Sequence, residues 1–337
     1  MSTKRILSGI RTTGALHLGH YFGALQNWIR LQEEYECFFL LADVQALTTH
    51  FDRVEEIESS AREVVLDFLA VGLDPEKSTF FIQSQVPELT ELSMYFGMFT
   101  RMKELELNPT VKSELKAQKD IYYGFMGYPV SQAADILLFT TIPPESGDEL
   151  LVPVGEDQVP HLESTRKTAR KFNEIYGETF VIPSTLVSEF PRLPGLNMEK
   201  MSKSADNAIF LKDSADEVRT KIVKAFTDPT KEKANSPGHP HGCAIFQYYK
   251  ALAPKIADEI EIACQKGEIG CVADKQRLIE IANEFLQPIR ERRKKFKKNS
   301  AYLKKVLNAG NECAREVGKK TMKAVRSAMH IDYPTLL

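Results

Sequence analysis

The stretch Arg5–Tyr21, RILSGIRTTGALHLGHY, decides the reading of the fold. It opens with the apolar pair Ile6-Leu7 and breaks at Gly9 and Gly14. It then resumes as an apolar-periodic segment through Leu18, Phe22, Leu25 and Ile29. That spacing suits one face of a helix, so the stretch is predicted as strand, glycine-bearing turn and helix, with His17, Gly19 and His20 in or near the first helical turn. The start of such a helix offers free backbone N–H groups and the positive end of a dipole to an anion, typically phosphate. Two imidazoles add donors there, and Gly19 lets a flat base approach the backbone closely. A strand, a glycine turn and a helix are also common in α/β proteins with no ligand at that point, so both readings stay open on this stretch alone.

Working outward, residues 36–42 (ECFFLLA) form a continuous apolar run, as expected of a strand buried on both faces of a parallel sheet. Asp43 follows at the carboxyl end, where ligands of open α/β sheets gather. Val54 to Gly72 has helical periodicity and closes on the stop signal Gly72-Leu73-Asp74-Pro75. Ser78 to Ile82 reads as a further strand. This alternation argues for an α/β fold with a doubly wound parallel sheet. Residues 87–130 read as mostly helical, with an apolar stripe at Met94, Phe96, Met98, Phe99, Met102 and Leu105 that suits a core or a subunit interface. After about Asp206 the chain turns to helical stretches rich in Lys, Arg and Glu (215–226, 259–266, 275–296 and 301–329), so a mainly helical domain over 206–337 is expected beside an α/β domain over 1–205.

Composition sets bounds. A chain of 337 residues with 43% hydrophobic content can bury a large core in one or two domains. Its longest apolar runs, 37–42 and 136–139, are too short to span a bilayer. With the first strand expected by about residue 5, no leader peptide is expected. Five scattered cysteines, an odd number, do not look like a disulfide framework. A cytoplasmic protein is the expectation. Net charge of −2 means that any nucleic-acid contact must use a local basic patch. The strongest is Arg290–Lys298, RERRKKFKK, which reads either as a solvated helix face or as a phosphate-contacting one.

Two further stretches carry chemistry. Lys200–Ser204, KMSKS, follows Pro194-Gly195 and reads as a polar loop able to wrap a polyphosphate. In Gly127–Phe139, GYPVSQAADILLF, an acidic residue sits in an otherwise apolar run, where burial is costly unless the group is paired. Asp135 is then either a helix-face residue with a structural partner or an acceptor for a substrate donor. A pocket built on such a bond rejects analogues that lack the donor, because the carboxylate would be left unsatisfied.

HLGH followed by KMSKS resembles the two signatures of the class I aminoacyl-tRNA synthetases. AADIL followed by Val152-Pro-Val-Gly-Glu-Asp-Gln158 resembles more narrowly the bacterial-type tryptophanyl-tRNA synthetases. The tyrosyl enzymes also carry a Gln-x-x-Asp element, which Gln132 and Asp135 could mimic, but they typically show a Gly-Ser-Asp-Gln loop where this chain reads Gly155-Glu156-Asp157-Gln158. The resemblance implies a Rossmann-like catalytic domain and tryptophan–tRNA ligase activity. It implies His17, His20, Lys200 and Lys203 as catalytic residues. An ATP site would comprise Arg11, Thr12, Thr13, Gly19, His20, Gly155, Glu156, Asp157, Leu193, Lys200, Met201, Ser202, Lys203 and Ser204. A tryptophan site would comprise Gly9, Tyr128, Gln132, Asp135 and Gln158, with Asp135 on the indole N–H. Mg²⁺ would come with ATP, the 87–130 insertion would form a homodimer, and residues 206–337 would bind the anticodon region of tRNA(Trp).

The chain departs from that pattern at three places. Gln132 stands where many members have Met, and Gln45 stands where His is common. The segment Thr140–Leu151, TTIPPESGDELL, is longer than usual and is expected as a surface loop close to the ATP-binding loop. Cys243, Cys264 and Cys271, spaced Cys-x20-Cys-x6-Cys, resemble a cluster that holds a [4Fe–4S] centre in some members. Asp274 takes the place of the fourth thiolate such clusters want, so three thiols without a cluster is the favoured reading. His239 and His241 read as loop residues rather than zinc ligands. A small-cofactor nucleotidylyltransferase could share the HxGH turn, but neither the helical C-terminal part nor GEDQ is expected of one. A silent RNA-binding relative is disfavoured by intact HLGH and KMSKS.

Overall fold

Among the residues described by a computed structural model (3–116, 120–155, 158–187, 193–201 and 205–334), five parallel strands form one sheet. They are β1 (Lys4–Arg11), β2 (Glu36–Ala42), β3 (Ser78–Ile82), β4 (Glu149–Val154) and β5 (Ser184–Val187), in the order β3-β2-β1-β4-β5. The apolar run of β2 is buried on both sides because successive side chains point to opposite faces. Phe39 stacks on Trp28 at 4.6 Å between ring centroids on one face, and Phe38 meets Phe139 at 4.6 Å on the other.

The helix predicted after the first glycine turn is present but not uniform. It runs as α1 (Leu18–His20), a π-helical turn over Tyr21–Leu25, and α2 (Gln26–Leu31). Leu18, Phe22 and Leu25 are buried, as the periodicity required. Next come α3 (Asp43–His50) and α4 (Val54–Val71), the latter closed by Gly72 at φ 109, a left-handed cap that glycine adopts without strain. The 87–130 region contains α5 (Pro87–Gly97), α6 (Met102–Leu107), α7 (Pro109–Leu115) and the first half of α8 (Tyr123–Leu137). Helix α9 (Val159–Tyr176) links β4 to β5. Helices α2 and α4 cover one face of the sheet, while α8 and α9 cover the other.

The loop before β4 is a correction to the sequence reading. Residues 140–148 are close to the ATP-binding loop in sequence but lie at the opposite end of β4, to which Glu149, Leu150 and Leu151 already belong. Thr3 N–H donates to Asp148 Oδ1 at 2.7 Å, and Glu149 N–H donates to the Thr3 carbonyl at 3.0 Å, which pins the loop to the start of β1. Strand β4 has 6 residues. At roughly 3.3 Å per residue it separates its entering and leaving loops by about 20 Å.

The C-terminal helices are α10 (Ala215–Lys224), α11 (Ala244–Leu252), α12 (Pro254–Lys266), α13 (Cys271–Lys297) and α14 (Ser300–Ala328). They pack directly on the sheet layer. Leu278, Leu286 and Ile289 of α13 share one core with Phe39, Phe68 and Phe80. Helix α14 lies along the outer edge of β3, where Asn311 Oδ1 accepts from Ile82 N–H at 2.8 Å and Gly310 lies against the Phe80 carbonyl. An otherwise unpaired strand edge is thereby covered. The basic run divides. Arg293 is buried, Arg292 Nε donates to the Ala70 carbonyl and Arg290 donates to Asn283, while Lys294, Lys295, Lys297 and Lys298 stay exposed. Among the described residues, no helix is long and apolar enough to cross a membrane.

A glycine-to-alanine change inside a helix normally gains about 1 kcal/mol. A methyl group at Gly310 would instead overlap the Phe80 carbonyl oxygen. Gly310→Ala is therefore expected to lower stability by about 1–3 kcal/mol, read as a lower midpoint in urea unfolding.

Candidate active site

Strands β1 and β4 are neighbours, and the connections that leave them pass to opposite faces of the sheet. A crevice opens beyond their carboxyl ends, as at the switch point of open α/β sheets. A cavity of about 890 Å³ occupies it. Its walls include Gly9 and Arg11 of β1, Gly19 and His20, Tyr128, Gln132 and Asp135 of α8, and Gly155 and Gln158 after β4. Ten sequence-predicted site residues thus meet in one space: Gly9, Arg11, Thr13, Gly19, His20, Tyr128, Gln132, Asp135, Gly155 and Gln158. No side chain fits at Gly9, because a Cβ would lie 2.8 Å from that of Leu40 on β2.

At one end Asp135 is 3% exposed and held by neutral amides. Gln83 Nε2 donates to its two oxygens at 2.8 and 2.9 Å, and Gln45 Nε2 donates to Oδ2 at 2.6 Å. The Gln45 backbone N–H donates in turn to Gln83 Oε1 at 3.0 Å, locking both amides around the carboxylate. Burial without a cationic partner pushes the Asp135 carboxyl up to about 7, and the two amides only partly oppose it. Gln45, the departure from the usual His, keeps a donor on Asp135. Gln83 was missed in the sequence, since a glutamine just past a strand carries no pattern of its own. At the polar side of the cavity, Tyr128 Oη donates to Glu114 Oε2 at 2.8 Å and lies 3.0 Å from His161 Nε2. Burial and the adjacent Glu114 carboxylate hold the Tyr128 phenol well above its ordinary range. Glu114 and His161 also line the cavity and had no signal in the sequence. Asp43 instead serves structure, accepting from Ser84 N–H at 2.9 Å and from its hydroxyl at 2.5 Å.

At the other end the HLGH turn faces the cavity with Gly19 and His20. His17 is 8% exposed and is not among the lining residues; its ring packs on His20 at 3.7 Å between centroids. His17 N–H donates to His20 Nδ1 at 3.2 Å, so a neutral His20 carries its proton on Nε2. The Thr12 side chain is fully buried. Met201 brings the lysine loop to this turn: its sulfur lies 3.0 Å from where a Gly19 Cβ would be. Lys200 is exposed, and its carbonyl accepts from Asn207 Nδ2 at 3.1 Å. Met198 at φ 67 and Asp206 at φ 47 put left-handed residues on either side of KMSKS. Leu193 lies in the core with Leu196 and Met201 and does not line the cavity. Glu156, Asp157, Ser202, Lys203 and Ser204 lie outside the described residues.

The cysteine cluster converges away from the cavity. Cys264 interacts with Cys243, Cys271, Asp274 and the side chain of Lys231, and burial raises both the Cys264 and Cys243 thiols away from the thiolate form. Three cysteines, a carboxylate and a neighbouring lysine do not match the four thiolates that a [4Fe–4S] centre wants. Among the described residues no group of three or more His, Cys, Asp or Glu is arranged to hold a metal ion.

A family model described as tRNA synthetases class I (W and Y) matches residues 2–287. The tryptophan–tRNA ligase of Aquifex aeolicus is 40% identical over 401 residues, covering 97% of this chain and 100% of that protein. That of Streptococcus pyogenes is 45% identical, covering 99% and 100%. Among solved structures, the tryptophanyl-tRNA synthetase from Campylobacter jejuni complexed with ADP and tryptophan is similar at a TM-score of 0.84. Its identity is 31%, over 97% of this chain and 99% of that one.

The raised carboxyl of Asp135 has a measurable consequence. A folded-state value near 7, above the ordinary carboxylic value of 3.8, means that its contribution to stability is present below about pH 4 and is lost as pH rises through 7. Asp135→Asn removes that loss. Relative to the parent, the variant is expected to gain up to roughly 4 kcal/mol between pH 4 and 8, checked by urea unfolding across that range.

Proposed function

The chain belongs to the class I tRNA synthetases of the tryptophan and tyrosine family, and we infer from that membership and from its cavity how it works as a tryptophan–tRNA ligase. It activates L-tryptophan with ATP to tryptophanyl-adenylate and pyrophosphate, then transfers tryptophan to the 3′ end of tRNA(Trp). The observation that carries the site assignment is Asp135, a buried carboxylate held in place by two amides on the wall of a cavity whose other end is the HLGH turn.

In this reading the indole lies against Gly9 and Gln132 with its N–H on Asp135. Tyr128 and Gln158 hold the ammonium end of the substrate. ATP takes the other end, along Arg11, Thr13, Gly19, His20, Gly155, Glu156 and Asp157, whereas Thr12 and Leu193, expected at the nucleotide, are buried and not among the lining residues. No side chain acts as nucleophile. A tryptophan carboxylate oxygen attacks the α-phosphorus, the bond from that phosphorus to the bridging oxygen breaks, and pyrophosphate leaves with the bonding pair. Catalysis is positioning together with stabilisation of charge on the phosphates. His20 donates from Nε2 to a phosphate oxygen, while His17, packed behind it, sets its ring and tautomer. Lys200 and Lys203, with Met201, Ser202 and Ser204, close over the pyrophosphate. Mg²⁺ enters as part of the MgATP substrate, held mainly by the phosphates.

Two assembly features complete the proposal. Met94, Met98, Met102 and Leu107 leave an exposed apolar face on α5 and α6, which supports a homodimer formed by the 87–130 region. The exposed lysines 294, 295, 297 and 298 on α13 and just past it support contact with tRNA phosphates by the 206–337 region, near the anticodon.

The deciding experiment is ATP–pyrophosphate exchange with tryptophan, with tyrosine, and without amino acid. Exchange is expected with tryptophan alone; exchange with tyrosine instead would overturn the assignment of Asp135. Asp135→Ala is expected to lower kcat/KM for tryptophan by roughly 10- to 100-fold. Met98→Glu is expected to shift the sedimentation of the protein from dimer to monomer, and an unshifted dimer would move the interface elsewhere.

A further inference from the structure

The backbone that enters the HLGH turn is held from two sides. Leu16 N–H donates to Asp67 Oδ2 of α4 at 2.8 Å, and the Leu16 carbonyl accepts from Leu211 N–H at 2.9 Å. Leu18 N–H then donates to the Ile209 carbonyl at 2.9 Å, so His17 pairs with Phe210 in the segment that leaves the lysine loop. Asp67 is completely buried, and a carboxylate removed from water persists only with a partner. That partner comes from α13: Arg293 Nε donates to Asp67 Oδ1 at 2.7 Å. The same guanidinium gives Nη2 to Glu63 Oε2 at 2.7 Å, and Glu63 also takes Lys212 Nζ at 3.3 Å. Lys212 follows Leu211. The chain of contacts therefore closes on itself, from Leu16 through Asp67, Arg293, Glu63 and Lys212 back to Leu211 and Leu16.

We propose that Asp67 and Arg293 are positioning residues for the ATP end of the site, a buried brace through which α13 fixes the HLGH turn against the segment leaving the lysine loop. This deepens the ligase reading and rests on it. Neither residue lines the cavity. Helix α13 is already held to α4 by Leu278, Ala282, Leu286 and Ile289 in the shared core, so attachment of the helix does not need the ion pair. What the pair adds is placement. Asp67 supplies the acceptor for the N–H of Leu16, the residue before His17, and the planar fork of Arg293 holds that carboxylate in a single orientation by bridging it to Glu63.

The test compares two double variants that remove both charges together, so that neither leaves a lone buried ion. Asp67→Asn with Arg293→Met keeps an amide oxygen for Leu16 N–H; Asp67→Ala with Arg293→Met does not. Tryptophan-dependent exchange is measured per active site, and tryptophan affinity by equilibrium dialysis. The asparagine double is expected to keep kcat within about threefold of the parent, and the alanine double to lose about tenfold or more with tryptophan affinity unchanged. Equal kcat in the two doubles, or a loss of tryptophan affinity that matches the loss of kcat, overturns the proposal. Should the alanine double not fold, Arg293→Lys decides. It keeps the charge but cannot span both carboxylates, and it is expected to lower kcat about threefold or more at unchanged tryptophan affinity; an unchanged kcat overturns the proposal. A parent protein without tryptophan-dependent exchange would count against the ligase reading itself, a distinct outcome.

Discussion

The placement of β1 between β2 and β4 in a parallel sheet constrains everything else in this molecule. Parallel neighbours are joined by right-handed crossovers, so a chain that leaves β1 toward β2 and later leaves β4 toward β5 must send its helices to opposite faces. Trp28 and Phe68 pack on one face, and Leu162 and Phe172 on the other. The two carboxyl-terminal loops are forced apart, and the crevice between them is the cavity. Ligand-facing groups come from β1, α8 and the loop after β4 because those elements border the same gap. The long loop before β4 is excluded from it by the length of the strand.

Of the buried carboxylates, Asp67 and Asp135 sit in this framework with different partners, and burial raises both carboxyls. Asp67 meets a guanidinium that is itself anchored to Glu63. A charge-assisted bond of that kind holds geometry strongly, and it suits a residue that fixes backbone. Asp135 meets only the amides of Gln45 and Gln83. Neutral donors orient the carboxylate but do not offset its desolvation, so its carboxyl rises to about 7. A buried acceptor without a counter-charge gains from a substrate donor, whereas one already paired with arginine gains little.

Arg293 of RERRKKFKK shows how one residue of a surface-like run can serve the interior. Read linearly, the run is one basic face. On α13 its members are distributed around the helix, and the 3.6-residue period turns Arg293 toward α4 while Lys294, Lys295 and Lys297 face solvent. The positive charge this run leaves at the surface is therefore that of Arg292 and the four lysines.

Local physics made much of this legible from sequence. The apolar run 36–42, the stop signal at Gly72 and the helical spacing from Leu18 to Leu25 each express a period or a steric rule that holds over a few residues. They fixed the sheet class and the position of the HLGH turn at a strand end. The motifs 17–20, 132–135, 155–158 and 200–204 marked candidate residues; Gly19, His20, Gln132, Asp135, Gly155 and Gln158 border one cavity, while His17 sits behind His20 and Lys200 is not among the lining residues. Tertiary structure alone decided which polar residues meet: Gln83 and Gln45 at Asp135, Glu114 and His161 at Tyr128, and Asp67 with Arg293, far apart along the chain. Such pairings depend on where whole elements pack, and a glutamine or arginine has no local pattern that reveals which distant carboxylate it will satisfy.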